Sequence, residues 1–235
     1  MAMLTLDNVE VWNRQTRESI FENLSFKLGR RRALVFAEDE KLTAAFLRLV
    51  LGHRPDGGYV VLDGRPSWPI GQSGIVRGLT TGREFIRFLG SLYNLDIPAC
   101  MADAERWFTP ELLGTTTNLW SSKERSRLER LCVLWPDFDV YLTYGAGGTG
   151  DPVFDQEWTE RFDARLVGRG MIAIAPPFEP WDNWCDIVVL LRGGEVVCYD
   201  NVADALTAAT AVATGDLLDG APNRREEQAE DDILL

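Results

Sequence analysis

Side chains able to do chemistry are sparse in this 235-residue chain. There is one histidine, His53, in a Gly-His-Arg-Pro turn. With no cysteine or carboxylate cluster beside it, it supports neither a metal site nor a Ser-His-Asp arrangement. Cys100, Cys132, Cys185 and Cys198 lie far apart, without a Cys-x-x-Cys pair and each among apolar residues. They read as buried free thiols in a reducing compartment. One dense stretch of charge is Glu38-Asp39-Glu40-Lys41. It follows Ala33–Ala37, a continuous apolar run that reads as a central buried strand. It precedes Leu42–Leu51, which is apolar at Leu42, Phe46, Leu49 and Val50 with helical spacing, and Gly52 ends that helix. Strand, loop and helix in this order form the core of a nucleotide-binding α/β unit.

Other elements must position that unit. Leu4 to Val11 and Ile20 to Leu28 alternate as half-buried strands around the polar turn Asn13–Glu18, and Gly58–Leu62 is a further strand. Phe85, Phe88, Leu89, Leu92 and Tyr93 mark an amphipathic helix over 81–95. A second helix, 122–134, turns Leu128, Leu131, Cys132 and Leu134 inward, with charges alternating from Lys123 to Arg130 on its other side. Phe138–Thr143 and Gly170–Ala175 read as strands around a helix from Phe154 to Val167, and Ile187–Leu191 with Glu195–Tyr199 as a hairpin over Arg192-Gly-Gly194. This order implies an α/β core from 1–77 and 136–215, a helical insertion over 78–135, and a tail over 216–235. The tail holds seven acidic and two basic side chains. That composition reads as a solvated, disordered end, with a docking peptide as the other reading.

Composition narrows the function. The net charge is −12, with 46% apolar and 26% charged residues. A soluble globular protein fits these values, whereas binding to nucleic acid or an anionic membrane needs a basic face. No apolar run approaches a membrane span of roughly 20 residues. Met1 to Asp7 lacks the basic start and apolar stretch of a secretion signal, so a cytoplasmic location is expected.

Several words in this layout resemble the ATP-binding subunit of ABC transporters, in the capsular and O-antigen polysaccharide exporter branch. They are Ser67-Trp-Pro-Ile-Gly71 followed by Leu79-Thr-Thr-Gly-Arg-Glu84 and Leu92-Tyr93, and Ser121-Ser122 followed by Arg125-Ser-Arg-Leu128. Pro136 to Tyr141, Gly150-Asp151, Cys185-Asp186 and Asn201-Val202 match later stretches, and the resemblance runs from about residue 3 to 205. It implies the P-loop NTPase-like nucleotide-binding-domain fold, with an antiparallel β-subdomain and an inserted helical subdomain.

The positions that the resemblance assigns to ATP chemistry carry other residues. The family's phosphate cradle is Gly-x-x-x-x-Gly-Lys-Ser, whose backbone N–H groups and lysine hold the phosphates while its hydroxyl holds Mg²⁺. Here Ala37 and Leu42 stand for the glycines, Thr43 for the lysine and Ala44 for the hydroxyl, with Glu38, Asp39 and Glu40 between. Lys41 lies two positions before the expected lysine, and a register that uses it still lacks both glycines. The Mg²⁺-associated Asp and the catalytic Glu align with Tyr144 and Gly145, the γ-phosphate-sensing glutamine with Arg77, and the switch histidine with Pro176. In the signature, Ser121 and Ser122 persist, but Lys123 replaces the glycine and Glu124 follows it. Trp12 keeps the aromatic type that stacks on adenine; a strand-end aromatic packed on the sheet explains it as well.

The resemblance, less its catalytic residues, implies a non-hydrolysing subunit. No metal or resident cofactor is expected, and ATP with Mg²⁺ binds only under the alternative of a divergent active ATPase. The implied partners are an ABC-2 type polysaccharide permease and either a second ATP-binding subunit or another copy of the chain. The implied place is the inner membrane surface, reached through the permease. Arg77, Gly78, Thr81, Arg83, Glu84 and Phe85 fall where the family receives a permease helix. A capped amphipathic helix with an Arg83–Glu84 salt bridge explains several of them too. A soluble adaptor unrelated to transport is a third reading.

Overall fold

Strands buried on both faces need continuous apolar sequence, while strands with one wet face alternate. The computed structural model, which describes residues 2–37, 39–71, 75–76, 78–145, 148–175, 184–192, 195–205 and 207, contains both kinds. The acidic tail and the hairpin turn at 193–194 lie outside the described residues. Alternating strands β1 (Leu4–Trp12), β2 (Ser19–Leu28) and β4 (Gly57–Leu62) form an antiparallel sheet in the order β2-β1-β4. The apolar strands β3 (Arg32–Ala37), β5 (Val140–Tyr144), β6 (Gly170–Ile174) and β7 (Ile187–Arg192) run parallel. The antiparallel β8 (Glu195–Tyr199) closes that sheet, in the order β5-β6-β3-β7-β8.

The two-residue period of a strand splits each parallel strand between two cores. Ala33, Val35, Val140, Leu142, Ile172, Ile174, Val189 and Leu191 face the small sheet and α1 (Glu40–Val50). Leu34, Phe36, Tyr141, Met171, Ala173, Val188 and Leu190 face the opposite side. There they meet α6 (Pro152–Leu166) and the helices between β4 and β5: α2 (Gly82–Tyr93), α3 (Ile97–Glu105), α4 (Pro110–Leu113) and α5 (Ser122–Val133). Residues 66–71 run parallel along the outer edge of β5, with Ser67 N donating to Val140 O at 2.8 Å and Ile70 N to Leu142 O at 2.9 Å. This covers what would be an open edge.

Several expectations need correction. Helix α1 starts at Glu40, two residues before the apolar period, because Asp39 caps it. Helices α3 and α4 carry too short an apolar period to be read from spacing, and both are announced instead by capping residues followed by proline, Asp96 with Pro98 and Thr109 with Pro110. On α5, Glu129 and Arg130 are buried rather than part of a solvated charged face, and Trp158 of α6 lies against Arg130. Arg130 sits 4.9 Å from the ring centre of Trp158. Cys100 and Cys132 are buried, but Cys185 is half-buried and Cys198 exposed, since edge strand β8 has a wet face.

Candidate functional site

In open α/β sheets ligands collect at the carboxyl ends of the parallel strands. Here that edge carries the β3–α1 connection and the end of β5. Ala37 is the last residue of β3, and Glu40, Lys41, Leu42, Thr43 and Ala44 already belong to α1. Only Glu38, which lies outside the described residues, and Asp39 connect them. Asp39 is extended (φ −123°, ψ 131°), and its carboxylate accepts the backbone N–H of Lys41 at 2.8 Å. Its carbonyl accepts Leu42 N at 3.1 Å and Thr43 N at 3.3 Å. The N–H groups of Lys41, Leu42 and Thr43, at the helix start where a phosphate cradle would meet an anion, therefore already have acceptors. Asp39 and Glu40 also complement the positive end of the α1 dipole. An anion placed ~5 Å from one such carboxylate is opposed by about 3 kcal/mol at an effective dielectric near 20. Leu42 and Thr43 are half-buried, Leu42 against the core beneath the small sheet, whereas Lys41 and Ala44 are exposed.

At the end of β5, Tyr144 is half-buried and its N–H donates to Ile70 O at 2.8 Å. Gly145 follows at φ +62° and donates to Ile174 O at 2.9 Å. The next carboxylates, Asp151 and Asp155, were not singled out by sequence for catalysis, and both serve the backbone. Asp151 caps α6 by accepting Phe154 N at 3.2 Å and pairs with Arg127 at 3.0 Å. Asp155 accepts Thr149 N at 3.0 Å and Thr149 Oγ1 at 2.8 Å. Among the described residues no group of three His, Cys, Asp or Glu could hold a metal ion.

The signature positions open α5. Ser121 is the N-cap, its hydroxyl accepting Glu124 N at 3.2 Å while the Glu124 carboxylate accepts Ser121 N at 2.6 Å. Hydrogen bonding to its carboxylate from the Ser121 hydroxyl, the larger effect, and from the Ser121 N–H holds the Glu124 carboxyl below the usual range. Ser122 and Lys123 occupy the exposed first turn, and Lys123 lies over Gly150, where an added Cβ would stand 3.1 Å from its Nζ. Trp12 ends β1, 42% exposed, with its backbone N–H donating to the Asp56 carboxylate at 2.9 Å.

Around α2, Thr81 and Glu84 form a second capping box. Arg83 does not pair with Glu84; its guanidinium donates to Pro110 O at 3.1 Å. Phe85 is buried and belongs to the core. Gly78 is exposed at φ +109°, and its carbonyl accepts Asn118 N at 3.2 Å. Thr80 O accepts Thr117 N at 2.9 Å, so residues 78–81 and 116–118 form a short ladder between the start of α2 and the start of α5. Leu79 and Leu119 project from this ladder 81% and 75% exposed. Arg77 and Pro176 lie outside the described residues. A cavity of about 390 Å³ opens at the opposite edge of the sheet, lined in part by Arg30, Arg32, Arg169 and Asp186. Its arginines are already ion-paired, to Asp63, Asp186 and Asp137 respectively.

Relatives and solved structures place this arrangement. No family model matches the chain. The polysialic acid transport ATP-binding protein KpsT of Escherichia coli is 27% identical over 202 residues, which is 81% of this chain and 90% of KpsT. The capsule polysaccharide export ATP-binding protein CtrD of Neisseria meningitidis serogroup B is 24% identical over 195 residues, 82% of this chain and 90% of CtrD. Among solved structures, an ATP-binding subunit of an ABC transporter superposes with a TM-score of 0.73 at 14% identity, over 88% of this chain and 99% of that one. The dimeric structure of a bacterial ABC transporter cassette superposes with a TM-score of 0.66 at 14% identity, over 84% and 98%. The chain is thus a relative of the ATP-binding subunits of capsule polysaccharide exporters and carries the ABC nucleotide-binding-domain fold.

Proposed function

We propose that this chain is a non-hydrolysing ABC subunit of a polysaccharide export system, which keeps the fold for docking and has given up ATP turnover. The carrying observation is the two-residue β3–α1 connection, in which Asp39 occupies the helix N-terminus that would otherwise receive a phosphate. Absence of a carboxylate at Tyr144 and Gly145 supports the same reading, since nothing there would hold Mg²⁺ or polarise water. The docking role is supported by Leu79, Phe88, Leu92 and Leu119, large apolar side chains exposed around α2. The partner is an ABC-2 type permease at the inner membrane, with the chain acting as a cytoplasmic subunit beside a second ATP-binding subunit or another copy of itself. No helix among the described residues is long and apolar enough to cross a membrane.

Thermal melting with and without Mg-ATP tests this. Millimolar nucleotide is expected to leave the melting temperature within about one degree. A ligand at 100 times its Kd adds about 2.7 kcal/mol, on the order of 5–10 °C for a chain of this size, and such a rise would overturn the proposal. The second reading, a divergent active ATPase, is favoured by the relatives, whose names describe ATP-binding proteins and which align with most of this chain. Phosphate release in the presence of the permease would establish it.

A further inference from the structure

One face of α6 is given over, turn after turn, to the helical segment. Starting from its cap, Asp151 pairs with Arg127 of α5 at 3.0 Å. One turn on, Phe154 meets the Trp107 ring edge-to-face with centroids 4.9 Å apart. Trp158 then donates its indole N–H to Arg130 O at 2.8 Å and lies under the Arg130 guanidinium. Glu157 and Arg161 complete a closed ring of alternating charge with α3 and the residue after it. Arg161 binds both carboxylate oxygens of Asp103 at 3.0 and 2.7 Å. Asp103 lies 3.6 Å from Arg106, Arg106 2.7 Å from Glu157, and Glu157 3.6 Å from Arg161. The Trp135 indole, just beyond α5, donates to Asp103 at 2.8 Å. Residues 151, 154, 157, 158 and 161 follow helical spacing, so a single rigid face makes all these contacts. Asp103 is only 16% exposed, which spares its pairing the solvent screening that weakens surface ion pairs.

We propose that α6 acts as a clasp that holds the helical segment in one orientation on the α/β core, with Asp103 as its positioning residue. Because Ser121 caps α5, the clasp also fixes where that serine stands relative to the β3–α1 connection. The clasp uses no residue of either candidate nucleotide-facing turn, so it goes beyond the function proposed above and does not depend on it.

Hydrogen exchange of the full-length chain tests the clasp, comparing wild type, Asp103→Asn and the milder Arg106→Gln, each with and without Mg-ATP. In wild type the amides of α3 and α5 are expected to exchange at rates that Mg-ATP leaves unchanged. Asp103→Asn is expected to speed α3 and α5 by about tenfold while β3 and β6 keep their protection; Arg106→Gln should do so by a smaller factor. Equal acceleration of β3 and β6 in both variants, or none anywhere, would overturn the clasp. So would a nucleotide-driven change in α3 in wild type. Protection by Mg-ATP confined to residues 37–44 would count against the non-hydrolysing reading and leave the clasp standing.

Discussion

Ser121 and Glu124 hold each other's backbone: each side chain accepts the other residue's N–H, at 3.2 and 2.6 Å. The first turn of α5 is thereby satisfied from within, as the first turn of α1 is by Asp39. In the family that the sequence resembles, both turns face a triphosphate. Here both present a carboxylate instead. Replacing Glu124 with Ala is expected to cost about 1 kcal/mol, a fall in melting temperature of about 2–4 °C for a chain of this size. Glu124→Gln, which can still accept Ser121 N, should lose less. Equal losses for the two variants in thermal melts would show that the reciprocal bond contributes nothing.

Rebuilding the phosphate cradle alone should fail. Writing Gly-x-x-x-x-Gly-Lys-Ser over Ala37 to Ala44, with Asp39→Ala among the intervening positions, removes the Asp39 cap and supplies the glycines, lysine and hydroxyl. Tyr144 and Gly145 would still provide no acid. The expectation is restored nucleotide binding at most, read as a thermal shift, with phosphate release no faster than the buffer blank. Turnover in that variant would mean that the catalytic base stands elsewhere in the chain.

The periodicity of the sequence disclosed the sheets and most helices because it reports burial: Leu34 and Phe36 fall to one core, Ala33 and Val35 to the other, as a two-residue period requires. What it could not disclose was where a polar residue spends its hydrogen bonds. Asp39 and Glu40 read as charges of the connection between strand and helix, and only the structure shows one capping and the other opening α1. Glu129 and Arg130 read as solvated because a charge pattern on one helix says nothing about the helix laid across it. Asp103 gave no signal at all, since its partners Arg161 and Trp135 are 58 and 32 residues away. The strand, turn and helix around Asp39 were legible because an apolar run, a charged turn and a helical apolar period follow one another at short spacing.

Gly170 opens β6 with no room for a side chain. A Cβ there would lie 1.9 Å from Sδ of Met3, itself 1% exposed and tied to β2 by Met3 N donating to Leu28 O at 2.7 Å. Gly170→Ala is therefore expected to destabilise by about 1–3 kcal/mol, measured by urea unfolding. Gly170→Ala combined with Met3→Ala should recover part of that loss. A double variant less stable than the sum of both single changes would show that the clash is not the cause.

Asp103 gives the charge ring a pH dependence with a definite sign. Burial by itself pushes its carboxyl up, but the bonds from Arg161 and Trp135 and the nearby charges of Arg161 and Arg106 outweigh burial and hold it below the usual aspartate range. Glu157 also faces the ring from α6, and the buried Cys100 and Cys132 thiols lie close to it. A carboxyl more acidic in the folded than the unfolded chain adds stability at every pH above its unfolded value, about 3.9 for aspartate. That increment disappears as pH falls from there through the lower folded value. Many other carboxylates titrate over the same range, so the absolute melting temperature does not isolate this one. The difference between wild type and Asp103→Asn does, because the variant lacks only this titration. That difference is expected to stay constant from pH 7 to about pH 5 and to shrink steadily below about pH 4. A difference that stayed level down to pH 3, in thermal melts at fixed ionic strength, would mean that Asp103 owes its place to packing rather than to charge.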